Sequence, residues 1–229
     1  NYLIKDMKDL APSMQEAFHI ARTGRPGPVL IDLPKDIILG EADFVVPVGE
    51  PDIRGYKPKT TGHIRQIKRV AEAIKVAKKP VLYVGGGVIH AEADQEVKNL
   101  AEKADIPVTW TLLGASAFPS DHPLALGMLG MHGTAYANLA IDECDLLIAV
   151  GARFDDRVTG KISEFAKNAE IIHIDIDPTA IGKNVNVAIP VVGDAKKVLV
   201  EVNKLIKGQK RTIWQKRVEL LKKDFPLTF

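Results

Sequence analysis

The sequence predicts a doubly wound α/β fold, a parallel sheet of about five to six strands with helices on both faces. Three observations lead there. Beyond residue 62, short continuously apolar runs alternate with segments whose apolar residues recur at helical spacing. Apolar runs without polar alternation belong to strands covered on both faces. The unusual glycine and polar clusters fall just after those runs, where ligands sit in open parallel sheets. Finally, a chain of 229 residues, 46% hydrophobic and 26% charged, can bury a large core without disulfides or a structural metal.

Residues 6–22 place Leu10, Met14, Phe18 and Ala21 on one helical face. Thr23-Gly24-Arg25-Pro26-Gly27-Pro28 stops that helix, with Gly24 suited to the left-handed position after its end. Residues 29–33 have strand length and are closed by Pro34. Residues 1–38 therefore read as the last helix and strand of a preceding domain. Residues 39–61 lack periodicity and hold Pro47, Gly49, Pro51, Gly55 and Pro58, the composition of a linker.

Residues 62–208 form the sheet domain. Helices are predicted over 63–77, 93–103, 133–144 and 195–206, and strands over 80–84, 107–111, 145–151, 170–177 and 189–192. Residues 209–229, with Trp214, Val218 and Leu221 at helical spacing, read as a linker helix leading to a further domain.

The net charge of +2 points to neither a nucleic-acid nor a membrane surface. The basic excess over 196–223 reads as the solvated face of a helix rather than an RNA-binding arm. No apolar run approaches the roughly twenty residues that span a bilayer. Cys144 is the single cysteine, so no disulfide forms within the chain, which suits a reducing compartment. The opening Asn1-Tyr2-Leu3-Ile4-Lys5-Asp6 resembles neither an initiator end nor a signal peptide, so the chain is read as a piece of a longer polypeptide.

Candidate chemistry gathers at the strand exits. Gly85-Gly86-Gly87 either bares backbone N–H groups to a phosphate or makes a tight turn. Thr111-Leu112-Leu113-Gly114 offers a hydroxyl, or again a plain turn. In Leu126-Gly127-Met128-Leu129-Gly130-Met131-His132-Gly133 the methionines suit a flat aromatic ligand, or else plug the core. The most specific string is Gly151-Ala152-Arg153-Phe154-Asp155-Asp156-Arg157-Val158-Thr159-Gly160. Its guanidinium groups suit phosphate or carboxylate in two-pronged fashion. A solvated ion-pair cluster and a metal site on Asp155 and Asp156 are its alternatives, the second opposed by the arginines.

His173, Asp175 and Asp177 share one strand face, a spacing open to a metal. Ribose contact suits Asp175 better, and capping of a helix that starts at Pro178 suits Asp177. Gly193-Asp194-Ala195 repeats the arrangement one strand later.

Arg25-Pro26-Gly27-Pro28 with Asp32-Leu33-Pro34-Lys35-Asp36, then Leu129 to Gly133, then Gly151 to Gly160, resemble the large catalytic subunit of acetohydroxyacid synthase (acetolactate synthase). The resemblance covers essentially the whole chain. It implies a Rossmann-like central domain holding structural FAD, in a thiamine-diphosphate and magnesium enzyme of branched-chain amino-acid synthesis. Such an enzyme joins a pyruvate-derived two-carbon unit to a second 2-ketoacid.

By motif position the implied FAD contacts are Arg25, Gly85, Gly86, Gly87, Thr111, Leu112, Met128, Leu129, Gly130, Met131, His132, Gly151, Arg153, Asp155, Val158, Asp175, Ile176, Asp194 and Ala195. Arg157 matches the residue gripping the second ketoacid's carboxylate, and Lys35, Met128 and Asp156 match the substrate channel. The thiamine and magnesium residues are expected outside this chain, which has no Gly-Asp-Gly string. The resemblance also implies a homodimer or tetramer, a small regulatory subunit, and a cytoplasmic, plastid or mitochondrial setting.

The sequence departs from the family at Gly114-Ala115-Ser116-Ala117, where a second glycine is expected near Ser116. Two rival readings keep part of this picture. One is the central domain of a pyruvate oxidase or a flavin-free catabolic acetolactate synthase. The other is a stand-alone NAD-binding module, which lacks a full glycine fingerprint here.

Overall fold

The computed structural model describes residues 1–43 and 45–227. Phe44, in the expected linker, and Thr228 and Phe229, in the expected terminal segment, lie outside the described residues. The chain divides into two compact units, Asn1–Lys59 and Thr60–Phe229.

In the first unit, strand β1 (Tyr2–Leu3) leads to helix α1 (Leu10–Arg22), strand β2 (Ile31–Asp32) and helix α2 (Lys35–Leu39). β1 and β2 pair in parallel. The expected helix and strand are present; β1 and α2 are additions. Gly24 takes φ +57°, the left-handed stop after α1. The expected apolar face differs, because Met14 and Phe18 are exposed and Ala17 is the buried residue of the helix.

The second unit opens with α3 (Ile64–Val76), β3 (Pro80–Val84), α4 (Gly86–His90), α5 (Asp94–Ala104) and β4 (Val108–Trp110). β5 (Ala125–Met128), α6 (Ala135–Glu143), β6 (Leu146–Val150) and α7 (Asp156–Thr159) follow. β7 (Glu170–Asp175), β8 (Ile189–Val192), α8 (Ala195–Leu205) and α9 (Thr212–Asp224) complete it.

Among the described residues the sheet has six strands in the order β5-β4-β3-β6-β7-β8, every pairing parallel. The chain thus enters at the centre, winds outward through β4 and β5, and returns to place β6 beside β3. That is the order of dinucleotide-binding sheets, with its reversal between β3 and β6. β5 is absent from the predicted strands. Gly127 sits in it at φ +75° and the β4–β5 register slips between Val108 and Thr109, so no regular apolar period survives.

The central strands bury both faces. Leu82, Val84, Ile148, Val150, Ile172 and Ile174 point toward the helices α3, α5 and α8. Val81, Tyr83, Leu147, Ala149 and Ile171 point the other way, onto α6 and α9 through Ala137, Ile141, Trp214, Val218 and Leu221. Helix α9 is therefore a covering layer of this same sheet. Trp214 Nε1 donates to Pro80 O at 3.0 Å, and Arg217 Nε lies 3.0 Å from both Glu143 carboxylate oxygens.

The segment before α9 is anchored by a buried arginine. Arg211 donates through Nη2 to Ile74 O at 2.5 Å and through Nε to Ala77 O at 3.3 Å, meeting the last carbonyls of α3. Its backbone N–H donates to the carboxylate of Asp105, itself in the left-handed conformation that ends α5. Burial pushes the Arg211 guanidinium below its ordinary pKa, with Asp105 and Asp145 opposing the shift.

Truncating Arg211 removes the donors to the Ile74 and Ala77 carbonyls, while its backbone N–H to Asp105 remains. Arg211→Ala is expected to lower unfolding stability by about 2–4 kcal/mol, read as a fall in the urea midpoint. The buried Cys144 thiol, pushed up to about 12 by burial, is expected to resist a thiol-titrating disulfide reagent until the chain unfolds.

Candidate functional site

The exits of the central strands meet through glycines. A Cβ at Gly87 would lie 2.6 Å from Gly151 Cα, and one at Gly114 would lie 2.6 Å from Val84 O. A Cβ at Gly85 would meet Gly151 O still more closely, and Ala152 Cα at 2.6 Å. No side chain fits there, so β3 and β6 approach at the sheet's reversal only because these positions are glycine. Gly85 N donates to Val150 O at 3.0 Å and Gly87 N to Gly151 O at 2.9 Å. Two of the N–H groups that the sequence reading offered to a phosphate are thus bonded to the neighbouring strand and its exit.

Around this seam the other exits join by direct contact. A Cβ at Gly86 would touch Leu113 Cβ at 3.2 Å. Met131 N donates to Arg157 O at 2.8 Å, and Gly130 at φ +100° packs against the same carbonyl. Asn138, unremarked in the sequence, holds that loop by exchanging two hydrogen bonds with the Gly130 backbone, each 3.1 Å long. Gly86 thus meets Leu113 and Gly87 meets Gly151, while Met131 and Gly130 meet Arg157 at the other end of the loop that Gly151 begins.

The rim of these exits is apolar and cationic. Leu112 and Leu113 are 76% exposed and Met131 is 74% exposed, so large apolar side chains stand in solvent at adjoining exits. Such clustering marks a ligand or partner surface. Met128 and Val158 are half-buried against the core, and the Leu129 side chain is inside it. His132 is exposed. Thr111 caps the turn that follows β4, accepting from Gly114 N at 3.1 Å. Neither Ala115 nor Ser116 takes a positive φ, so the backbone there does not demand the glycine expected near Ser116.

In the two-arginine loop Asp155 caps α7, accepting from Arg157 N at 3.2 Å. Arg157 Nη1 lies 3.2 Å from Asp156 and 3.7 Å from Asp155, and Arg153 Nη2 lies 3.9 Å from Asp155. The Asp155 carboxyl is held below the ordinary carboxylate range, first by its hydrogen bond with Asp156 and then by the Arg157 N–H. All four side chains are substantially exposed, the solvated ion-pair arrangement weighed above. Its guanidinium groups retain donors for an anion.

At the far exits, Asp175 accepts from Asp177 N at 2.9 Å, and Ile176 is half-buried. Asp177 caps as expected, but it caps a turn: its carboxylate accepts from Thr179 N at 2.9 Å, and no helix follows Pro178. Gly182, at φ +70°, ends the segment before a helix has room to propagate. Asp194 caps α8, accepting from Lys197 N at 3.0 Å, and Ala195 is buried at the start of that helix. Among the described residues no group of three or more His, Cys, Asp or Glu side chains is arranged to hold a metal ion. Arg25 and Lys35, both exposed, lie in the first unit.

Residues 67–202 match the family model described as thiamine pyrophosphate enzyme, central domain. The chain belongs to the thiamine pyrophosphate enzyme family. Among curated relatives it is 52% identical to the probable acetolactate synthase large subunit of Methanocaldococcus jannaschii, over 97% of this chain and 39% of that protein. It is 49% identical to the acetolactate synthase large subunit of Corynebacterium glutamicum, over 99% of this chain and 37% of that protein. It is 47% identical to the acetolactate synthase of Mycobacterium leprae, over 100% of this chain and 37% of that protein. The chain thus spans well under half the length of these relatives. As a central domain of a thiamine pyrophosphate enzyme, it places the glycine seam, the rim and the two-arginine loop all inside the matched region.

His173 lies beneath this loop, wholly buried on the α6–α9 face of β7, with its Nε2 2.9 Å from Ala152 O. A carbonyl only accepts, so Nε2 carries the hydrogen. Burial lowers the His173 pKa below 6.5, with Asp175 and the Ala152 bond opposing the shift. The folded state therefore favours the neutral ring. The contribution of His173 to stability is complete above the unfolded pKa and is lost as pH falls through the lowered folded value. Chemical denaturation between pH 7 and 5 is expected to show the native chain losing stability more steeply than His173→Gln.

Proposed function

We propose that this chain is the central part of an acetolactate synthase large subunit, holding FAD at the exits of β3 to β6 and lining a 2-ketoacid channel. The rim carries the reading. It joins the exits of β4 and β5, with exposed Leu112, Leu113 and Met131, to the loop that begins at the glycine seam and carries Arg153 and Arg157. A flavin ring needs a flat apolar platform, which leucine and thioether side chains supply. A diphosphate needs a forked cation, which Arg153 supplies. Gly86, without a side chain, leaves the crevice uncovered. The residues present fit the group.

In this reading Arg157 receives the carboxylate of the second ketoacid, and Asp156, 3.2 Å away, orients its guanidinium. Met128 lines the channel beside it. Bound FAD has a structural part, and thiamine diphosphate with magnesium, held by residues outside this chain, supplies the carbanion chemistry. The full protein is a homodimer or tetramer of large subunits, partnered by a small regulatory subunit, in branched-chain amino-acid synthesis. Close identity to three acetolactate synthases supports this assignment over other enzymes of the family.

Flavin absorbance in the purified full-length protein tests the reading. A colourless protein that forms acetolactate would move the assignment to the flavin-free branch. Arg153→Ala is expected to weaken FAD binding by about 10- to 100-fold, the range for hydrogen bonds to a charged group, measured by quenching of flavin fluorescence. The 229-residue chain alone, given pyruvate and thiamine diphosphate, is expected to form no acetolactate.

A further inference from the structure

Three consecutive carbonyls in the loop that carries Arg153 are each bound by a side chain from a different part of the fold. Ala152 O accepts from His173 Nε2 of β7 at 2.9 Å. Arg153 O accepts from Tyr83 Oη of β3 at 3.4 Å. Phe154 O accepts from Asn184 Nδ2, in the segment between β7 and β8, at 2.5 Å. On either side the backbone is fixed too: Gly151 N donates to Ile174 O at 2.8 Å, and Asp155 O accepts from Val158 N and Thr159 N. Phe154 is buried and meets Tyr83, Phe165 and His173 through its ring. The Arg153 side chain, by contrast, is 62% exposed.

Two of the three donors are unusual for where they sit. His173 and Tyr83 are wholly buried within an apolar sheet face. The His173 Nδ1 atom is buried with no hydrogen-bond partner among the described residues. A buried imidazole with an unmet nitrogen is a costly way to fill a core position. Its Nε2 hydrogen bond goes to the carbonyl just before Arg153, with the Asp175 carboxylate 3.9 Å from the same nitrogen.

We infer that His173, Tyr83 and Asn184 are positioning residues that fix the Arg153 backbone, so that its guanidinium meets an anionic ligand already aimed. This rests on the reading that Arg153 holds the FAD diphosphate. A backbone with no alternative course confines a long side chain's search to its own rotamers, and a ligand then binds without ordering the loop. Asn184 lies in the segment between β7 and β8 and reaches the loop through its bond to Phe154 O.

Equilibrium FAD affinity of the full-length protein, by quenching of flavin fluorescence, tests the inference in a double-mutant cycle with Arg153→Ala. Asn184→Ala and His173→Leu are each expected to weaken FAD binding by about tenfold, while His173→Gln, which keeps an N–H donor at similar reach, restores most of it. Tyr83→Phe, which loses only a long hydrogen bond, is expected to cost about threefold and remains informative if a bulkier change prevents folding. In the Arg153→Ala background the same substitutions are expected to have no further effect. Wild-type affinity in Asn184→Ala and His173→Leu, or losses that add fully to that of Arg153→Ala, overturns the positioning role. Unchanged affinity in Arg153→Ala itself overturns the underlying reading, and the role with it.

Discussion

The seam between the exits of β3 and β6 is the constraint on which the rest of the domain depends. Two parallel strands that start separate halves of a sheet lie side by side, and each must send its chain out over the same edge. Their exits pass within contact of each other only because Gly85, Gly87 and Gly151 carry no side chains. The hydrogen bond from Gly87 N to Gly151 O then locks the exits together. From that closure follow the position of α4 and the course of the arginine loop. A wider residue at the seam would separate the two exits before it touched any ligand.

This closure changes what a glycine cluster after a strand means. Glycines at such a place are commonly read as bare N–H groups for a phosphate. Here the N–H groups of Gly85 and Gly87 are bonded to the neighbouring strand and its exit, and the gain is proximity of the β3 and β6 exits. The charged groups are supplied by the loop after β6, and the apolar platform by the exits of β4 and β5. The seam holds these contributions in register.

Much of the fold was legible in the sequence, because a doubly covered parallel strand announces itself as an unbroken apolar run. Strands β3 and β8 begin and end at their expected residues, and Gly24 takes the conformation its position suggested. β5 escaped because Gly127 and a register slip erase its period, and the predicted helix after Asp177 gave way to a turn. The rim residues were legible as odd types gathered at strand ends. Their supports were not. Tyr83 and His173 look like core in a strand, Asn138 and Asn184 look like ordinary polar residues, and Arg211 looks like one more member of a basic tail. What distinguishes them is a partner at a distance of 8 to 137 positions along the chain, which local pattern does not encode.

Helix α9 gives this arrangement an order in time. Trp214, Val218 and Leu221 close the second face of the sheet, yet they are translated after every strand they cover. While the ribosome still holds that helix, the face of Val81, Tyr83 and Leu147 has α6 but lacks its second covering helix. The sheet's second face is therefore complete only with the helix, and a pause or cleavage between residues 206 and 211 would leave that side covered by α6 alone of the two helices.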